Sequence, residues 1–131
     1  MNDKSVAQRA AQVVERSQRA LARGDVEEYL SCFAQDAVLH DPAAPPMSGL
    51  ESIRQGIASF LEMFAKAEFV ELKLFPVGRT VAIKTTVRFT TRNGKVGELE
   101  SVDVFELNED FKIYKGTAYW DTEPFMKLLQ S

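Results

Sequence analysis

Residues 80–107 read TVAIKTTVRFTTRNGKVGELESVDVFEL, and this stretch decides the architecture. Val81, Ile83, Thr85, Val87 and Phe89 alternate with Lys84, Thr86 and Arg88, the period of two that a strand with one buried face requires. Asn93-Gly94 follows, the dipeptide best suited to the positive-φ positions of a tight hairpin. The chain is therefore predicted to turn there and return antiparallel over residues 97–107. On the return strand Leu99, Ser101, Asp103, Phe105 and Leu107 share one face, and Glu98, Glu100, Val102, Val104 and Glu106 the other. The glutamates mark the second face as solvated. Asp103 thus falls on the apolar face, between Ser101 and Phe105, where loss of water disfavours the charged form and raises the pKa. An acid so placed either makes a structural hydrogen bond or carries chemistry.

Downstream, Asn108-Glu109-Asp110 turns the chain into a last strand, residues 111–121, in which Tyr114, Gly116, Ala118 and Trp120 share a face. Two nearly bare positions between aromatics leave room over a sheet for a flat apolar ligand, or for a packed helix. Residues 122–130 read as a short helix. Upstream, Val70, Leu72 and Leu74 alternate with Phe69, Glu71 and Lys73, and Pro76-Val77-Gly78 makes the turn. Before residue 67 the period is helical. A first helix over residues 5–23 carries Val6, Ala10, Val13, Val14, Ser17 and Leu21 along one stripe. Ser17, a hydroxyl among alkyl groups, either faces a cavity or bonds back to its own helix. Gly24 ends that helix, and Asp25 with Glu28 reads as a capping box for a second, residues 26–33, with Tyr29, Leu30 and Phe33 inward. A third, residues 49–64, shows Ile53, Ile57, Phe60, Leu61 and Phe64. Helices followed by an antiparallel meander make an α+β domain whose sheet curls around the helices, and its concave face can hold a pocket.

Between the second and third helices, residues 37–53 read AVLHDPAAPPMSGLESI. Asp41 stands before Pro42 and is pushed to extended geometry, so it is predicted at a strand end. Pro42, Pro45 and Pro46 read as stiffening the loop that follows, and Ser48 with Glu51 as a capping box for the third helix. Asp41 is then either a carboxylate held for chemistry or the start of a turn.

With 131 residues the chain forms one domain, and its 45% hydrophobic and 27% charged composition is that of an ordinary soluble protein. A net charge of −3 without clustered Lys or Arg argues against nucleic acid as a partner. No run is long enough to span a bilayer, and MNDKSVAQRAAQVV lacks the apolar region of a signal peptide. The single Cys32 precludes an intrachain disulfide, as expected for a cytoplasmic protein. With one histidine, His40, and one cysteine, no conventional zinc site is expected.

With Asp41, Asp103 and Trp120 assembled, the chain resembles the ketosteroid isomerases of the nuclear transport factor 2-like (NTF2-like) superfamily. The landmarks are Gly24-Asp25, Asp36-Ala37-Val38 leading to Asp41-Pro42, Gly49, Val102-Asp103-Val104 and Ala118-Tyr119-Trp120. Most of them also occur in SnoaL-like polyketide cyclases. The resemblance implies one cone-shaped α+β domain over residues 1–131, three N-terminal helices packed in a curved antiparallel sheet, and a homodimer. It further implies proton transfer next to a carbonyl, with Asp41 as base and Asp103 as a neutral donor to the enolate oxygen. The implied pocket wall comprises Ser17, Phe33, Ile57, Phe105, Gly116, Ala118 and Trp120. The implied ligand is an apolar, steroid-like or polyketide-like ketone, with no metal or organic cofactor. Ser17, Phe33 and Ile57 stand where the isomerases carry the phenols of their oxyanion network. Loss of one such donor costs about a hundred- to a thousand-fold in turnover. Three readings follow: an isomerase or cyclase working through an enolate, a binding protein that kept the cone and lost the chemistry, or an interaction domain with a filled cavity. Val102 and Val104 beside Thr86 and Thr90 suggest the outer sheet face as the dimer contact.

Overall fold

The computed structural model describes residues 3–130. Helix α1, Asp3–Ala22, ends where Gly24 takes φ +77°, with Gly24 N–H on the Leu21 carbonyl and Asp25 N–H on that of Ala20, a Schellman closure. The Asp25 side chain caps α2, Val26–Ser31, by accepting from Glu28 N–H at 3.1 Å. Glu28 does not complete a box; its carboxylate pairs with Arg16 at 3.2 Å. Helix α2 stops short of Phe33, which opens strand β1, Phe33–Asp41.

Pro42 lies in a turn, but Pro45 and Pro46 do not make a loop. After a tight turn, β2, Ala44–Ser48, pairs antiparallel with β1, Asp41 opposite Ala44 and Val38 opposite Ser48. Pro45 and Pro46 are tolerated because β2 is an edge strand and its register with β1 shifts across them, between the Leu39–Met47 and Asp41–Ala44 pairs. Ser48 therefore belongs to the sheet and caps nothing. Gly49, at φ +88°, starts α3, Leu50–Glu62, and its N–H bonds the Ala37 carbonyl at 2.8 Å. Only glycine takes that backbone conformation without strain.

The rest is the expected meander: β3 Phe64–Val77, β4 Thr80–Thr91, β5 Val96–Leu107 and β6 Ile113–Tyr119, closed by α4, Thr122–Gln130. The sheet order is β2-β1-β6-β5-β4-β3, curved and unclosed, with every pairing antiparallel except β1 with β6. Helix α1 packs on α2, β3 and β4, and α3 on β1, β2 and α2. Ile53, Ile83, Ile113, Val14 and Val81 are sealed at the centre of the main core. A second cluster joins Phe64, Phe89 and Phe125, with Phe89 edge to face with both others and 5.5 Å from Phe125. The two clusters leave space between them.

Among the described residues no helix is long and apolar enough to cross a membrane.

Candidate functional site

Strand alternation sets Asp103 on the concave face, opposite Ile83 of β4 and Ala118 of β6. Hydrocarbon on both flanks removes water from the carboxyl, and burial pushes its pKa up to about 6. The hydrogen bond from Ser101 Oγ to Asp103 Oδ1 pulls the other way, and the charge of Asp41 adds a smaller upward push. Because Ser101 occupies Oδ1, a proton on Asp103 is free to sit on Oδ2.

Asp41 ends β1 in a half-buried position. Its Oδ1 accepts from Ala43 N–H at 2.9 Å, and its Oδ2 from Trp120 Nε1 at 3.2 Å. Both partners are N–H groups, so they fix the carboxylate as an acceptor. Trp120, just beyond β6, is itself held edge-on against Phe125 at 5.7 Å and 89°. The acid, the indole and the C-terminal helix thus form one wall.

Two adjoining cavities, about 160 and 440 Å³, open on this wall, and Asp41, Asp103, Ala118 and Trp120 line both. Ile57, Phe105 and Gly116 line the larger. A side chain at Gly116 would run into Leu39 and Phe105, so much of the space left by that glycine is already filled. The room lies over Ala118. Ser17 and Phe33 do not reach either cavity. Ser17 is sealed, its Oγ donating to the Val14 carbonyl at 2.7 Å, so it bonds back to its own helix. A tyrosine there would drive a ring into packed side chains instead of entering a pocket. Phe33 packs in the core against Tyr29, ring centres 4.7 Å apart.

The structure adds residues that the sequence reading passed over. Gln18 lines both cavities, as do Phe60 and Phe125, and Tyr29 lines the larger. Gln18 is four residues after Val14, and that helical spacing was the available signal. Tyr29 fits the apolar inner face of α2 by its spacing, and nothing local in the sequence marks its phenol as cavity-lining. Its phenol is held well above the usual tyrosine range, first by burial and then by the charges of Asp103, Cys32 and Asp41, so it stays protonated.

The model of the SnoaL-like domain matches residues 14–115, which spans α1 to β6 and includes both acids. The chain belongs to the SnoaL-like family. Solved structures share its fold over nearly its whole length. A candidate polyketide cyclase from Xanthomonas campestris pv. campestris has a TM-score of 0.86 at 17% identity, covering 94% of this chain and 98% of its own. An NTF2-like protein of unknown function from Burkholderia pseudomallei has a TM-score of 0.85 at 19% identity, with the same coverage. TerC, co-crystallised with polyporic acid, has a TM-score of 0.83 at 18% identity, covering 94% of this chain and 99% of its own. At these identities the likeness establishes the fold alone, and this SnoaL-like domain has the NTF2-like fold.

Proposed function

We propose that this SnoaL-like domain is a small-molecule enzyme that transfers a proton at a carbon next to a carbonyl, on an apolar ketone held in the cavity. The observation that carries this reading is two carboxyls on one cavity in unlike settings, Asp41 half-buried among N–H donors and Asp103 flanked by hydrocarbon. In this scheme Asp41 takes the proton from carbon and the electron pair moves to the carbonyl oxygen. Protonated Asp103 hydrogen-bonds that oxygen through Oδ2, and Asp41 returns the proton to another carbon. Atoms and charge balance without a redox partner. The polyporic acid complex of TerC supports reading the cone as a small-molecule site.

The donor role has a pH signature. With Asp103 titrating at about 6, about a tenth of the free protein carries the neutral acid at pH 7. Affinity for a neutral ketone is expected to be nearly full at about pH 5, about half of that at pH 6, and to fall about tenfold per unit above about pH 7, in proportion to the competent fraction. Titrating 2-acetylnaphthalene by fluorescence from pH 5 to 8 checks this. An affinity independent of pH over that range would remove Asp103 as the donor.

The second reading, a non-catalytic binding protein, draws on Ser17, which sits sealed on α1 where the isomerases place their phenol. Equal turnover in wild type and Asp41→Asn would select it.

The same proposal includes a homodimer through the outer sheet face. There Val102 is 43% and Tyr119 60% exposed, and the two are cross-strand partners. An apolar pair in the middle of a sheet gains by being covered. Light scattering is expected to return about twice the 14.7 kDa chain mass, and a monomer at micromolar concentration would contradict it.

A further inference from the structure

We infer that Gln18 is a ligand-binding residue of this cavity, its amide held by Ser17 so that an N–H and a carbonyl oxygen are presented to a second oxygen function on the ligand. The inference rests on reading the cavity as a ligand site, and it adds what kind of ligand that site discriminates.

Gln18 is 6% exposed, yet it forms part of the wall where the two cavities meet. A buried primary amide is costly unless its polar atoms are matched, so its surroundings should define it. Its Nε2 donates to Ser17 Oγ at 3.3 Å. The Ser17 hydroxyl proton is already committed to the Val14 carbonyl at 2.7 Å, so Ser17 Oγ can only accept. That fixes which end of the amide faces Ser17. The bond uses a single N–H and leaves the other N–H and the carbonyl oxygen.

In the smaller cavity the rest of the helical wall is hydrocarbon, with Leu21, Phe60 and Leu61, while the larger cavity adds the phenol of Tyr29 and the hydroxyl of Ser59 on its helical side. Both acids stand on strands, Asp41 on β1 and Asp103 on β5. Gln18 is therefore a polar anchor on the helical wall, separate from the pair that handles the reacting carbonyl. A ligand with one oxygen at the acids and hydrocarbon elsewhere would leave the amide unmatched. A ligand with a hydroxyl or second carbonyl at its far end would satisfy it. The favoured class is a flat apolar ketone carrying a remote second oxygen. Ser17 acts through Gln18 as a positioning residue and touches no ligand.

The test compares 2-acetylnaphthalene with its 5-, 6- and 7-hydroxy derivatives, titrated by fluorescence at pH 5.5. Wild type is expected to prefer the best hydroxy isomer over the parent by about fivefold to tenfold, the worth of one neutral hydrogen bond. Gln18→Leu, or the unbranched Gln18→Met if the leucine variant folds poorly, should abolish that preference, and the parent should bind at least as tightly because no amide is then left unmatched. Ser17→Ala should weaken the preference with parent affinity unchanged, which loss of packing alone would not do. A preference that survives in the Gln18 variants, or no preference in wild type, overturns the inference while the cavity still binds the parent. Wild type that binds none of the four probes overturns the ligand-site reading and this inference with it.

Discussion

Asp41→Asn is expected to lower the turnover of a β,γ-unsaturated ketone by about a hundred- to ten-thousand-fold, the range a positioned general base contributes. The amide keeps the size of the carboxyl and loses its basicity. It also changes one contact. Asparagine can still accept from Ala43 N–H through its oxygen, but its NH₂ group then meets Trp120 Nε1–H, donor against donor. A modest shift of the indole and a few-fold loss of affinity are expected from that mismatch alone. Asp41→Asn combined with Trp120→Phe removes the opposing donor, so affinity should recover while turnover stays lost. Steady-state absorbance of the conjugated enone, at matched folded concentration, reads both parameters. A KM-only effect in Asp41→Asn would assign Asp41 to binding.

Asp103 carries the second large effect, and it is one of stability. Its folded pKa, about 6, lies above that of an unfolded aspartate near 3.8. The folded state therefore binds this proton more tightly, and the stability linked to it is complete below about pH 4. That stability is lost as pH rises through about 6 and stays absent at pH 8. The shift corresponds to roughly 2–3 kcal/mol. Asp103→Asn cannot ionise, and its oxygen still accepts from Ser101. It should flatten this part of the pH profile and be more stable than wild type at pH 8 by an amount of that order. Urea denaturation of both proteins at pH 4.5 and 8 gives the comparison. A parallel pH dependence in the two would show that Asp103 is not the buried acid responsible.

Most of the fold was legible because its determinants are local. The alternation through residues 80–107 and the Asn93-Gly94 turn placed β4 and β5 in antiparallel register, and the same alternation placed Asp103 inward. Strand β2 was not legible, because three prolines in seven residues read as a loop unless the strand is known to lie at an edge. Edge position is a property of the assembled sheet. Phe33 fits the second helix as well as the first strand on periodicity alone. Its place was decided by pairing with Ile113 across the sequence.

The site was legible in part for the same reason. Asp103 sits within a strand, where a period of two fixes its direction, and Asp41 was placed at a strand end by the proline that follows it. On α1, adjacent residues differ by about 100° of rotation, and Ser17 and Gln18 both face inward. Which of them meets the cavity depends on how the helix is rolled against β3 and β4, and tertiary packing alone fixes that. The Trp120 hydrogen bond to Asp41 joins residues 79 apart in the chain, and no local pattern announces it.

In the proposed reaction Asp41 removes a proton from carbon next to a carbonyl while Asp103 holds the oxygen. Proton NMR in D₂O of a ketone shown to bind, recorded with wild type and with Asp41→Asn, tests it most directly. The α-proton signal is expected to disappear at a rate proportional to wild-type concentration, and only at the buffer rate with Asp41→Asn. Buffer-rate exchange with wild type, on a ketone that saturates the cavity, would contradict it.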